Sequence, residues 1–128
     1  LLIGRVLLGL LFLVAGIRKI MFYSASVAYF TKLGFPAPEV IGVLAILIEL
    51  GAGALLVLGW QTRRVAWLLL LFVIIATAMA HRFWEFDGAQ YGNQLNHFLK
   101  NLAIIGALLY VAALGAGKLS IDERSVTS

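Results

Sequence analysis

Apolar residues run along this chain in four long blocks, at about 1–20, 39–58, 65–81 and 97–115, separated by shorter polar or aromatic segments. Each block approaches the ~20 residues that a helix rising ~1.5 Å per residue needs to cross a ~30 Å hydrocarbon core. The second block shows the pattern best. From Val40 to Leu58 it reads VIGVLAILIELGAGALLVL, bounded by Pro38-Glu39 before it and Gly59-Trp60-Gln61-Thr62 after it. Pro38 suits the first helical turn, where a missing N–H costs nothing. Near the middle stands one charge, Glu49. A carboxylate at membrane depth is costly unless protonated, hydrated or paired, so the rest of the fold must supply something for it to face.

The polar and small residues inside the blocks fall at helical spacing. Arg5, Gly9, Phe12, Gly16 and Lys19 follow one another by three or four residues and therefore share a face. Gly42, Ala45, Glu49 and Gly53 do the same in the second block. Small residues at such positions let helices approach closely inside a membrane. Val73, Thr77 and His81 mark a face of the third block, and His97, Asn101 and Ile104 one of the fourth. Between blocks, 21–38 reads as an interfacial segment, with a short helix over 24–33 ended by Gly34 in a left-handed cap. The segment 82–96 reads as an aromatic, polar interfacial loop, and 118–128 as a polar tail. The prediction is an all-α, single-domain polytopic membrane protein: a four-transmembrane-helix bundle, up-down-up-down, with both termini on one side.

Composition strengthens that reading. The 128 residues are 62% hydrophobic and 12% charged, against about 45–50% and about 25% in soluble domains. The net charge of +4 comes from basic residues standing singly or in pairs beside apolar runs, a membrane-flanking pattern rather than a nucleic-acid stripe. There is no cysteine, which excludes disulfide, thiolate and cysteine-ligated metal chemistry within the chain. The chain opens at Leu1 inside its first apolar run, and the expectation is that further residues precede it and that the run is no cleaved signal. Arg5, Arg63, Arg64, Lys118 and Arg124 fall on the termini side; Arg18, Lys19, Lys32, Arg82 and Lys100 fall on the other. The counts tie, and the Arg63-Arg64 pair in a very short turn tips the expectation to cytoplasmic termini.

Depth offers a partner for Glu49. Measured from Lys19, Arg5 lies ~21 Å deeper, and Glu49 lies ~15 Å in from Glu39, at ~1.5 Å per residue. The expectation is an Arg5–Glu49 ion pair between the first two helices. Lys19, His81, His97, Lys100 and Asn101 gather at the opposite rim. If their faces point inward they form a polar mouth able to hold a headgroup, a quinone ring or an anion. The plainer reading is that lysines and histidines there reach to water. His81 and His97 make no compact ligand motif, so no metal is expected. Gly51-Ala52-Gly53 lies in mid-helix with no Gly-Lys-Ser/Thr continuation and is no phosphate loop. What survives is quinone-linked or proton-linked work at Glu49, with His81 as a proton carrier.

The residues then show a resemblance. Arg5-Val6-Leu7-Leu8-Gly9-Leu10-Leu11-Phe12 with Ala15-Gly16-Ile17-Arg18-Lys19 resembles the first helix of the DoxX family, and Gly34-Phe35-Pro36 its following loop. Glu49-Leu50-Gly51-Ala52-Gly53 through Gly59-Trp60-Gln61-Thr62-Arg63 resembles that family's most recognisable segment. His81 at the end of the third block and Gly115-Ala116-Gly117-Lys118 after the fourth fit as well. The resemblance implies a multi-pass protein of the bacterial inner membrane, in a family whose members include the small-subunit type associated with thiosulfate:quinone oxidoreduction and others tied to oxidative stress. It implies an accessory or quinone-interacting subunit working through Arg5, Lys19, Glu49 and His81, in the lipid bilayer, with a membrane-protein partner or as a homo-oligomer. Quinone is the one cofactor it suggests, and without cysteine any sulfur chemistry belongs to a partner. The alternatives are a non-enzymatic membrane scaffold and a small proton-coupled transporter, although short four-helix exporters carry their buried glutamate in the first helix.

Overall fold

The computed structural model describes residues 1–123; the end of the polar tail at 124–128, with Arg124, lies outside the described residues. All regular structure among the described residues is helical. α1 spans Leu2–Met21 and α2 Tyr23–Lys32. α3 runs over Pro38–Leu58 with a π-helical turn at Ile48–Ala52. α4 covers Thr62–Ala80 and α5 Gly88–Leu114. Three helical stretches, Pro38–Leu58, Thr62–Glu85 and Gly88–Leu114, are long and apolar enough to cross a membrane. α1 and α2 together make a fourth if that pair, bent by 98°, counts as one span.

The predicted faces are the ones that pack. Arg5, Gly9, Phe12 and Gly16 are the buried residues of α1, and Gly42, Ala45, Glu49 and Gly53 are buried on α3. A Cβ on Gly9 would come within 2.9 Å of the Gly53 carbonyl oxygen, and one on Gly16 within 2.8 Å of Leu50. The α1–α3 contact therefore depends on these two hydrogens in place of methyl groups. α4 packs along α5, and α2 packs on α3. Leu56, Leu69 and Leu108, all fully buried, centre a core with Ala66 and Ala112 in the half of the bundle near the α3–α4 turn. The outward row Ile3, Leu7, Leu10, Val14 and Ile17 of α1 is exposed, as a lipid-facing surface requires.

Two local details differ from expectation. α5 begins at Gly88, so residues 88–96, expected in the interfacial loop, are helical. Their aromatic neighbours explain it: Phe83, in a single 3₁₀ turn, packs edge-on against Tyr91 and Phe98 at 5.6 and 5.1 Å between ring centres. That contact gives the polar helix start a side to bury, which composition alone does not reveal. The π turn at Ile48–Ala52 was also not foreseen; such bulges are frequent at functional sites. The short helix before Gly34 does form, and Gly34 takes a positive φ of 88° after it.

Candidate functional site

The two ends of the molecule gather different chemistry. At the first, α1 begins, the chain turns from α3 into α4, and the segment after α5 folds back. Arg5 is only 2% exposed here. Its guanidinium donates to the carbonyl oxygens of Ala116 at 2.5 Å, Leu119 at 2.9 Å and Val57 at 3.3 Å. Asp122 adds a second clasp, its carboxylate accepting from the backbone N–H groups of Gln61 at 2.8 Å and Thr62 at 2.9 Å. It thus caps α4 from a distant part of the chain, since Gln61 itself offers no side-chain cap. Burial alone pushes the Asp122 carboxyl up. The Thr62 hydroxyl, close by but without an aligned hydrogen bond, the two N–H groups and the Arg5 charge together outweigh this and hold it below the ordinary carboxylate range.

This overturns the expected Arg5–Glu49 pair. Glu49 meets Lys19 instead, with Lys19 Nζ 2.6 Å from Glu49 Oε1. The error lay in register. Gly9 lies against Gly53 and Val57, Gly16 against Glu49 and Leu50, and Gly42 against Tyr23. The start of α3 therefore reaches past the end of α1, and Glu39 sits about seven residues, or ~10 Å of helix rise, beyond the level of Lys19. The Tyr23 hydroxyl fixes that overhang by donating to the Glu39 carbonyl at 2.9 Å. Arg5 consequently stands level with the α3–α4 turn and belongs to the closed end.

At the opposite end Lys19 and Glu49 line a cavity of about 850 Å³, together with Arg18, His81, Lys100 and Asn101. The volume lies in the range of small-ligand pockets, about 300–1,000 Å³. α2, turning through 98° from α1, contributes Ser26, Tyr29 and Phe30, with Phe22 and Leu33 at its two caps. Phe35, Leu44, Phe72 and Ile75 continue the apolar wall. Leu44 of α3 and Ile75 of α4 line the cavity yet are 48% and 49% exposed. They lie within helices long enough to span, so the cavity borders the lipid face as well as the polar rim.

The polar side chains around it are unequally satisfied. Glu49 is 3% exposed, while the Lys19 side chain is 27% exposed. The 2.6 Å contact lacks hydrogen-bond alignment, and Glu49 Oε1 has no other partner among the described residues. Asn101 is buried rather than on the rim, donating through Nδ2 to Thr77 Oγ1 at 2.9 Å, while that hydroxyl donates to the Val73 carbonyl at 2.7 Å. His81 Nδ1 lies 2.9 Å from Gln94 Oε1 and donates to it in this amide orientation. His97 is not a wall residue; it stacks on His81 with ring centres 5.0 Å apart and planes 18° from parallel. Among the described residues no group of three or more His, Asp or Glu is placed to hold a metal.

Of the sequence-predicted site, Lys19, Glu49, His81, Lys100 and Asn101 come together, His97 stands behind His81, and Arg5 is elsewhere. Sequence reasoning missed Arg18 and the aromatic wall. The signal is in the segment read as interfacial: Phe22, Ser26, Tyr29 and Leu33 repeat at three- and four-residue spacing, which marks one helix face.

Comparison with known proteins gives the family. Residues 1–82 match the family model described as DoxX. The chain is 35% identical to inner membrane protein YphA of Escherichia coli over 97% of its own length and 89% of that protein's. It is 34% identical to inner membrane protein YqjF of the same organism, over 95% and 88%. It is also 30% identical to the surfeit locus protein 4 homolog of Schizosaccharomyces pombe, over 74% of this chain but only 34% of that longer protein. No solved structure matches the chain. With the family model covering well over half of the residues, and two relatives matched along nearly their whole length, this integral membrane protein belongs to the DoxX family.

Proposed function

We propose that the chain is a ligand-holding accessory subunit of a membrane redox or oxidative-stress system, and that its cavity takes an amphipathic molecule from the bilayer. The observation that carries this reading is the cavity: apolar and aromatic along most of its wall, adjoining the lipid face, with Lys19, Glu49, His81, Lys100 and Asn101 around its polar part. Such a chamber suits an apolar tail joined to an oxygen-bearing head. A quinone is the redox-active member of that class. Its tail fits the phenylalanine-lined wall, and the lysine ammonium groups can donate to its carbonyl oxygens. A quinone supplies the electron-transfer chemistry when bound; the chain's part is to hold it, orient its head and keep bulk water from the buried Glu49.

The same reading places the chain in a bacterial inner membrane with four spans alternating in direction. Its termini are cytoplasmic by virtue of Arg63 and Arg64 in the short α3–α4 turn, and a membrane-protein partner or a second copy receives what it holds. Mass spectrometry of small molecules retained by protein purified in mild detergent tests the ligand. A stoichiometric quinone in the native chain that is lost in Glu49→Gln supports the redox role. Ordinary phospholipid alone in both samples leaves a scaffold, the reading that the heavily clasped closed end would favour.

A further inference from the structure

The charges on the cavity wall do not balance. Three cations line it, Arg18, Lys19 and Lys100, against one carboxylate, Glu49. Lys19 is taken by Glu49 at 2.6 Å. Among the described residues neither Arg18 nor Lys100 meets a carboxylate, and the remaining ion pair, Arg82 with Glu85, lies outside the cavity lining. His81 is committed to Gln94 through Nδ1 and adds no negative charge. A neutral ring can use the donors of such a wall but leaves its net charge unanswered. An anionic head answers it: Arg18 and Lys100 are both exposed, and their long side chains can turn onto a carboxylate or phosphate at the cavity mouth.

We propose that the chamber selects amphiphiles with an anionic head, a carboxylate or phosphate seated between Arg18 and Lys100 with its apolar tail along Phe30, Phe35 and Phe72. The proposal rests on the reading of the cavity as a binding chamber, and it expects a neutral quinone to be held less tightly than an anionic amphiphile. Free fatty acids and acidic lipid headgroups share this chemistry. Lys19 stays with Glu49, so the pair forms the floor of the head site rather than its anchor. If Arg18 and Lys100 merely reach to water, as exposed basic side chains at a membrane rim do, head charge makes no difference.

Native mass spectrometry of the full chain in a neutral maltoside detergent separates these cases. Oleate, oleyl alcohol, a short-tailed ubiquinone and dioleoyl phosphatidylglycerol are added in parallel series. Oleate is expected to give a one-to-one adduct at a concentration at least tenfold below that needed for oleyl alcohol, which has the same tail and no charge. Lys100→Gln should cut that preference severalfold, and Arg18→Gln with Lys100→Gln should erase it, bringing oleate to the same concentration as the alcohol. Phosphatidylglycerol held more tightly than oleate, with the same loss in the double variant, identifies a lipid headgroup as the source of the anion. Equal binding of acid and alcohol, quinone held as tightly as oleate, or an acid preference that survives the double variant overturns the proposal and leaves the chamber standing. No adduct with any of the four overturns the chamber itself.

Discussion

The closed end and the cavity end are built from the same materials, buried charge and close helix contact, yet use them in opposite ways. At the closed end Arg5 is almost wholly buried and shares its guanidinium among three backbone carbonyls, while Asp122 answers the free N–H groups at the start of α4. The core leucines fill the space beneath. At the cavity end Glu49 has one cation, an oxygen without an aligned hydrogen bond, and an adjoining volume of about 850 Å³. Both ends keep a buried polar atom without an aligned partner among the described residues, Arg5 Nε and Thr62 Oγ1 at the closed end and Glu49 Oε1 at the other, so what separates them is the adjoining space. The difference teaches where stability and where binding reside: one end is sealed by its own chain, and the other is left with wall, charge and room.

Substitution should expose that division, most strongly at Arg5. Arg5→Ala removes three charge-assisted hydrogen bonds to backbone carbonyls, each worth about 1.5–3 kcal/mol, so the combined loss is on the order of 5 kcal/mol. It should appear as the largest fall in thermal unfolding temperature of any single variant discussed here, with ligand retention intact in the folded fraction. A small fall would mean that the clasp is incidental.

The Lys19–Glu49 pair should be asymmetric. Lys19→Gln strands a carboxylate that cannot reach water, whereas Glu49→Gln strands an ammonium that is already 27% exposed and can. Losing one partner of a buried pair costs about 3–5 kcal/mol when the survivor stays buried, so Lys19→Gln should approach the lower part of that range and Glu49→Gln fall well short of it. Unfolding of both variants in a denaturing-detergent titration checks the order. The reverse order would place the cavity mouth elsewhere.

Close packing gives a smaller effect. Gly9→Ala drives a methyl to within 2.9 Å of the Gly53 carbonyl oxygen, whereas a methyl on Gly106 meets nothing within 4 Å. Overpacking costs about 1–3 kcal/mol, while a helical glycine with open space beside it gains up to ~1 kcal/mol on change to alanine. The two variants should therefore shift the unfolding temperature in opposite directions.

Asp122→Asn should do least, about 1 kcal/mol, the scale of a lost helix cap. Its pH dependence has a defined sign. The folded carboxyl is held below its ordinary value, so the stability it contributes is full above the unfolded pKa of ~3.9 and is lost as pH falls through the lower folded value. Unfolding temperatures of the native chain and Asp122→Asn should differ near neutrality and converge in acid.

Much of this architecture is legible in the sequence. Three- and four-residue spacing identifies the buried faces of α1 and α3 down to Gly16 and Gly53, because a helix's geometry makes spacing equivalent to direction. Three of the four hydrophobic blocks locate helices long and apolar enough to span, and the first falls in the bent α1–α2 pair. What spacing cannot supply is register between helices. Depth alone gives Glu49 the wrong partner because it sets the start of α3 level with Lys19, while the Tyr23–Glu39 tie and the Gly42–Tyr23 contact set it further out. The Asp122 clasp joins residues 60 or more positions apart, which no local pattern reports. The cavity is hidden for the same reason: Phe30 and Phe72 become neighbours of one space only when α2 turns back across the bundle.

The central claim is that the cavity end holds a small amphiphile. Ala76 lines the cavity, and Ala76→Trp thrusts an indole into it without altering charge. Native mass spectra of the wild-type chain and this variant, purified side by side and matched for unfolding temperature, test the claim directly. A discrete one-to-one adduct on the wild-type chain that is missing from Ala76→Trp is the expected result. Identical adducts on both, or bare chain in both, would contradict it.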